Sequence, residues 1–517
     1  MHWLHLPEPR HDIAPACTDA ESTRLWLDKL ASAPPLTVFS AMLEQIEAVD
    51  GAELPAAQAV AILNLFRSAA VPFQAAMEDR FTRKALPMSA DEEGAFEVTH
   101  QLWARLGIAY LRLVPQCTPA NRCLPLHRAA TAFRIAQYCH FLAARTCPRL
   151  VDHLLLSVFA TAEANGLTRK PIADADFPRH GKGSISGQLA WAFLIRAIDP
   201  YHLTGIQLPV ANRAFSRWRE LINFQETAPG TRKAYMLDLS RLFGSDLPPG
   251  IPLYLNMRTA VHKLAQRIKL LEAGESPETL KLGRTLSTAA AIRLLKDLEQ
   301  HLYLRKKRRA NDTGEIELAF GAENAYAVLT NKVLNPAPGQ GDSGGAVNYQ
   351  RMAIFGRDQV SELPTSKKRL KVESETWTIV DGRATRAKKS GGTRLLSPCL
   401  VASHVAGTPR LGIMSSLQCD GDGALSAQLT WYGEEVEAGH LKRFAPKGTR
   451  LVRVPAFLFR NHSAYSLIVP ADTGTRLGAT LELSELSTEA LIPVEIIERG
   501  SNFVNFACKI DEEDAKT

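Results

Sequence analysis

The sequence is poor in the features that mark secreted, membrane-spanning and many catalytic proteins. Its N-terminus, Met-His-Trp-Leu-His-Leu-Pro-Glu-Pro-Arg, has no basic flank leading into an apolar stretch, so it does not read as a secretory signal. No uninterrupted apolar run reaches the length of about 18 residues that a membrane span requires. Cysteine is sparse: eight residues (Cys17, Cys117, Cys123, Cys139, Cys147, Cys399, Cys419 and Cys508) are spread over 517, unlike the dense frameworks of small secreted domains. The expectation is a reducing compartment and a cytoplasmic protein. Nucleotide-binding glycine loops are missing too, because Gly181-Lys182-Gly183-Ser184 lacks both a preceding strand and the remaining spacing of such a loop.

What is present is ample apolar material, 45% of residues against 22% charged, enough for two to four domains at this length. From about residue 20 to 300 apolar residues recur at helical spacing, as in Leu25, Leu27 and Leu30, then Met42, Leu43 and Ile46, then Val60, Leu63 and Phe66. After about residue 312 the texture changes. Glu315-Ile316-Glu317-Leu318-Ala319-Phe320 alternates with period two, and Trp377 to Val380, Gln428 to Trp431 and Leu451 to Val454 are short β-branched or aromatic runs separated by Gly, Asp and Asn turns. The fold class expected is multidomain α+β: an all-α region over 1–304, a β-barrel over 305–455 with an insertion near 335–376, and an additional β segment with an acidic tail over 456–517.

Two motifs are set aside on context. Gly341-Asp342-Ser343-Gly344-Gly345 matches the string around the nucleophile of trypsin-like proteases, but that chemistry needs a histidine base and an aspartate placed earlier on a double β-barrel, and the preceding residues read as helical. Cys117, Cys123, His127, Cys139, His140 and Cys147 are loosely clustered without the intervals of Cys-x-x-Cys knuckles, and buried structural cysteines explain them better. No metal site, catalytic residue or cofactor is expected from the sequence.

The net charge of +7 is concentrated in short runs, the densest being Arg305-Lys306-Lys307-Arg308-Arg309 at the junction between the last helix and the first strand. One reading is a solvated helix end whose cations offset the macrodipole. The other is an anion clamp, since the guanidinium fork suits phosphate oxygens and the Hoogsteen edge of guanine.

Here the chain resembles the PilZ domains, bacterial receptors of cyclic di-GMP, in which an Arg-x-x-x-Arg motif precedes the first strand of a six-stranded barrel and an Asp/Asn-x-Ser-x-x-Gly motif follows on the next strand. Arg305 to Arg309 supply the first motif, with the strand Gly314 to Phe320 directly after. Asp381-Gly382-Arg383-Ala384-Thr385-Arg386 stands where the second belongs, keeping the acidic residue but carrying Arg in place of Ser and Gly. Asp199-Pro200-Tyr201-His202-Leu203 and Arg476 to Phe506 are similar to parts of a proteobacterial group with a long helical region before such a domain. The resemblance implies a regulatory protein, not an enzyme, that binds cyclic di-GMP through Arg305, Arg308, Arg309 and Asp381. The arginine hinge would fold over the dinucleotide and relay its presence to a protein partner. The alternative is a scaffold that holds a partner without nucleotide. Nucleic-acid binding ranks below both, because no aromatic platform interleaves the basic runs.

Overall fold

The computed structural model describes residues 6–227, 235–240, 247, 251–252, 254–303, 314–334, 372–380, 382–433, 435–444, 451–461, 464–486 and 490–510. The chain forms two compact units, Met1–Arg308 with Gln418–Gly423, and Arg309–Leu417 with Ala424–Thr517.

The first unit is built on helices α1 (Ala20–Lys29), α2 (Pro35–Gly51), α3 (Ala56–Phe81), α4 (Ala90–Leu113), α5 (Cys123–Leu142), α6 (Arg149–Ala164), α7 (Ile185–Ala197), α8 (Gln207–Trp218), α9 (Arg258–Glu272) and α10 (Thr288–Tyr303). Local chemistry fixes several starts. Asp19 and Ser22 form a capping box on α1, and Ser89 and Glu92 form one on α4, whose first turn also carries Asp91 and Glu93 against the dipole. The central helix is α5, buried on every side from Pro125 to Leu142 and packed against α4, α6 and α7. Gly107 lets α4 approach it closely, since a Cβ there would lie 2.5 Å from the Phe133 ring. By length and composition α3 is the one helix among the described residues apolar enough to cross a membrane. Its inner face, with Ile62, Leu63, Phe66, Ala70, Met77 and Phe81, is instead part of the helical core, and it carries the buried Arg67.

The helical region also contains strands that its spacing did not predict. β1 (Ile172–Ala173) pairs with β2 (Lys182–Gly183), and β3 (Asn223–Gln225), β4 (Met236–Asp238) and β5 (Tyr254–Asn256) form a small sheet in the order β3-β5-β4. Strands of two or three residues are too short to leave a period-two signature.

The second unit contains two closed six-stranded barrels. The first joins β6 (Gly314–Phe320), β7 (Glu375–Val380), β8 (Arg383–Arg386), β9 (Cys399–Val405), β10 (Thr408–Cys419) and β11 (Leu425–Trp431) in the order β10-β11-β8-β7-β6-β9. Because β6 pairs directly with β7, the chain between them is an insertion between neighbouring strands, and it includes α11 (Ala322–Thr330). The second barrel joins β12 (Val436–Phe444), β13 (Leu451–Asn461), β14 (Ala464–Pro470), β15 (Leu481–Ser484), β16 (Ala490–Arg499) and β17 (Phe503–Ile510) in the order β12-β13-β14-β17-β16-β15. This corrects the expected division at 455, which would cut β13, a strand bonded along its length to β12 and β14. What was expected as an extra β segment is the greater part of a second closed barrel. Full closure removes the edges that a lone segment would expose. Ala325 and Tyr326 of α11 share one apolar cluster with Leu400 and Leu411 of the first barrel and Phe457 and Phe503 of the second.

Candidate functional site

The four residues expected to bind ligand, Arg305, Arg308, Arg309 and Asp381, lie outside the described residues, as does the Gly341 to Gly345 string. Their chain neighbours are placed. α10 runs to Tyr303, and β6 opens at Gly314. Val380 is paired with Arg383, so only Asp381 and Gly382 connect β7 to β8, and Gly382 has φ of 71°, which a side chain would strain. Asp-Gly is a preferred pair for a two-residue hairpin connection.

Beyond that connection the barrel wall decides what the two extra arginines do. Arg383 Nη1 donates to Ser426 Oγ at 3.5 Å. Arg386, in the position where the resemblance expects glycine, is buried in β8. It is ion-paired with Glu375, its Nη2 donates to the Thr393 carbonyl at 3.0 Å, and its guanidinium carbon lies 5.3 Å from the Trp377 ring centroid. Glu375 further accepts from Thr393 N at 2.6 Å and Thr393 Oγ1 at 2.7 Å. Burial would raise the Glu375 carboxyl, but the Thr393 and Arg386 bonds outweigh it and hold it below its ordinary range. Arg386 is therefore committed to the wall and is not a free contact for an anion.

The helical unit holds a second polar centre, which the sequence reading missed. Arg67 of α3, its side chain 0% exposed, pairs with both Asp174 and Asp176, and Arg128 of α5 pairs with Asp174 as well. Nearly two turns along α5, Arg134 Nε donates to Gln188 Oε1 at 3.0 Å, and its guanidinium carbon stands 3.5 Å from the Trp191 ring centroid. Arg219 Nη2 donates to the His180 carbonyl at 2.8 Å and the Lys182 carbonyl at 3.3 Å. The connection between β1 and β2 is thus fastened at both ends by arginines, with the His180 ring stacked on Phe177 and edge-on to Trp191. Burial lowers Arg134 to about 9; burial, reinforced by Arg134 and Arg219, pushes His180 down to about 3. The Cys139 and Cys147 thiols are raised well above their ordinary value by burial, which leaves them poor nucleophiles.

A third constellation joins His202, which ends the turn after Asp199, to Asp297 and His301, one helical turn apart on α10. His202 Nε2 lies 2.7 Å from Asp297 Oδ2, and His301 Nδ1 lies 2.9 Å from the Asp297 carbonyl and 3.3 Å from Oδ1. The two imidazole rings stack at 4.3 Å with 12° between their planes. The pairing spans 95 residues, so no local spacing revealed it; the one local signal was Asp297 and His301 at i and i+4 on a helix. The Cys117 to Cys147 set, by contrast, gathers into no ligand group among the described residues.

Against known proteins, residues 21–229 match the family model described as "Cyclic-di-GMP receptor FimW, N-terminal domain", so the helical region is similar to the N-terminal domain of a cyclic di-GMP receptor. No curated protein and no solved structure matches the chain.

Proposed function

We propose that this protein is a cytoplasmic, non-enzymatic regulator that binds cyclic di-GMP through a PilZ-like first barrel and passes the signal to a protein partner. The observation that carries the reading is the match of residues 21–229 to a cyclic di-GMP receptor domain. A six-stranded closed barrel whose first strand opens at Gly314, shortly after Arg309, supports the assignment of the ligand to the second unit. Arg305, Arg308 and Arg309 contact phosphates and guanine edges, where charge-assisted, bidentate bonds are strongest. Asp381 contributes less, because the wall beyond it departs from the expected pattern: Arg386 is spent on Glu375.

Calorimetric titration of the full chain with cyclic di-GMP at low salt tests this. Saturable binding at micromolar affinity or tighter, about −8 kcal/mol, is expected. Arg305→Ala and Arg309→Ala should each weaken it by about tenfold or more, from bonds worth about 1.5–3 kcal/mol. Absence of saturable binding sinks the receptor reading. The buried Arg386 favours, in that event, a barrel that has lost the nucleotide and serves as a partner-binding scaffold.

A further inference from the structure

The bonds around His202 leave two acceptors facing each other. Its Nδ1 meets the Asp199 carbonyl, which only accepts, so Nδ1 carries the proton. That leaves a lone pair on Nε2, yet Nε2 points at a carboxylate oxygen of Asp297 from 2.7 Å. His301 Nδ1 faces two oxygens of Asp297, both acceptors, so it carries the proton and the lone pair of that ring is on Nε2. A second proton on His202 relieves one contact. A divalent cation uses the carboxylate and both imidazoles at once, and the three residues do offer ligand atoms within 4.8 Å of one another.

We propose that His202, Asp297 and His301 bind a divalent first-row transition ion of the zinc type, with water completing the coordination. Two imidazoles and one carboxylate are the donors such ions take from proteins, and three protein ligands leave a position open. The surroundings supply what a ligand histidine needs. Nδ1 of His202 is tied to a backbone carbonyl, which fixes the tautomer that leaves Nε2 free. The turn that carries it is held in an unfavourable conformation, Asp199 having φ of 53°. It is fastened on both sides: Tyr201 Oη accepts from Cys147 N at 3.2 Å and donates to the Arg145 carbonyl at 3.1 Å, and Arg83 donates to the Pro200 carbonyl. On the other side, a four-residue spacing puts Asp297 and His301 on one face of α10.

The fit needs the side chains to rearrange. Ligands about 2.0–2.1 Å from a tetrahedral ion stand roughly 3.3 Å apart, so the His202–Asp297 contact opens from 2.7 Å by about half an ångström, any separation nearer 4.8 Å closes, and the rings leave their parallel stack, each lone pair lying in its own ring plane. Side-chain exposures of 18% for His202, 38% for Asp297 and 35% for His301 leave room for that rotation and for water. The bound ion would pin the last turn of α10 to the Asp199 turn. This site stands apart from the nucleotide reading, and neither depends on the other.

The test uses the full chain, stripped by chelator and dialysed, then titrated with zinc chloride by calorimetry, with zinc content measured after desalting and a parallel titration with cobalt(II). One equivalent per chain is expected, with micromolar or tighter affinity, a higher melting temperature with metal, and a cobalt spectrum free of thiolate charge-transfer bands. Asp297→Asn and His301→Gln should each weaken zinc binding about tenfold or more with far-UV ellipticity unchanged. The proposal is overturned if no stoichiometric uptake occurs, if uptake survives both substitutions, or if cobalt shows thiolate bands, which would assign the metal to cysteine. Should a variant misfold, the stoichiometry and cobalt spectrum of the unaltered chain still decide.

Discussion

Replacing Asp174 by Asn should destabilise the helical unit more than replacing Arg67 by Met, although the two residues are partners in the same ion pair. The asymmetry follows from the connectivity. Asp174 serves two buried guanidiniums, with Arg67 0% and Arg128 11% exposed, so its neutralisation leaves Arg67 only Asp176 and takes from Arg128 the carboxylate it pairs with. Loss of one partner from a buried pair costs about 3–5 kcal/mol because the remaining charge is stranded. Removing Arg67 strands less: Asp174 keeps Arg128, while Asp176 loses its guanidinium partner but is 17% exposed and keeps the Ser68 hydroxyl at 2.8 Å. Methionine fills most of the volume, and about 1–2 kcal/mol is expected. At about 2 °C per kcal/mol for a unit this large, Asp174→Asn should melt roughly 6–10 °C lower. The assay is thermal and urea unfolding followed by far-UV ellipticity, which the helices dominate. A pH series adds a signed check. Burial would raise the Asp174 carboxyl, but Arg67 and then Arg128 outweigh it and hold it below the ordinary range. Its stabilisation is therefore complete above about pH 4 and is lost as pH falls through the lowered folded value. The gap between the natural chain and Asp174→Asn should narrow below about pH 4. An Asp174→Asn cost under about 1 kcal/mol, or an Arg67→Met cost equal to or above that of Asp174→Asn, would refute the stranded-charge argument.

Three further outcomes are expected. Burial raises Glu78 to about 7, so its ionisation destabilises the fold as pH climbs from the ordinary carboxylate range through that value. Glu78→Gln, which keeps the shape of the protonated acid, should stabilise by about 1–3 kcal/mol at pH 8 and by nothing below about pH 4, read from urea midpoints at the two pH values. Gly107→Ala should cost about 1–3 kcal/mol, because its Cβ would meet the Phe133 ring at 2.5 Å where α4 crosses α5; a neutral result in thermal unfolding would show that the helices can separate without loss. In the first barrel, Glu375→Ala removes three bonds and leaves Arg386 buried without its carboxylate, so a loss of about 3–5 kcal/mol is expected in unfolding followed by near-UV signals of Trp377.

The division of the chain into helical and β-rich parts was legible in the sequence because it rests on local periodicity, which survives in any chain whose buried faces repeat every 3.6 or 2 residues. Leu63 and Phe66 fall on one buried face of α3, and Glu315 to Phe320 form β6 as the alternation requires. The arginine run and its place just before a barrel strand were likewise matters of chain order. The sequence did not show that the residues after 436 close a barrel of their own, because closure depends on β12 meeting β15, strands about 40 residues apart, and alternation does not name a partner. Nor did it show that Arg386 belongs to the barrel wall: its role depends on Glu375 across the β7–β8 hairpin and on the Trp377 ring. The polar centre at Arg67 and the His202, Asp297 and His301 cluster were hidden for the same reason. Their members lie 107 and 95 residues apart, and a charge becomes buried, paired or ligand-ready only when tertiary packing removes water and supplies the partner.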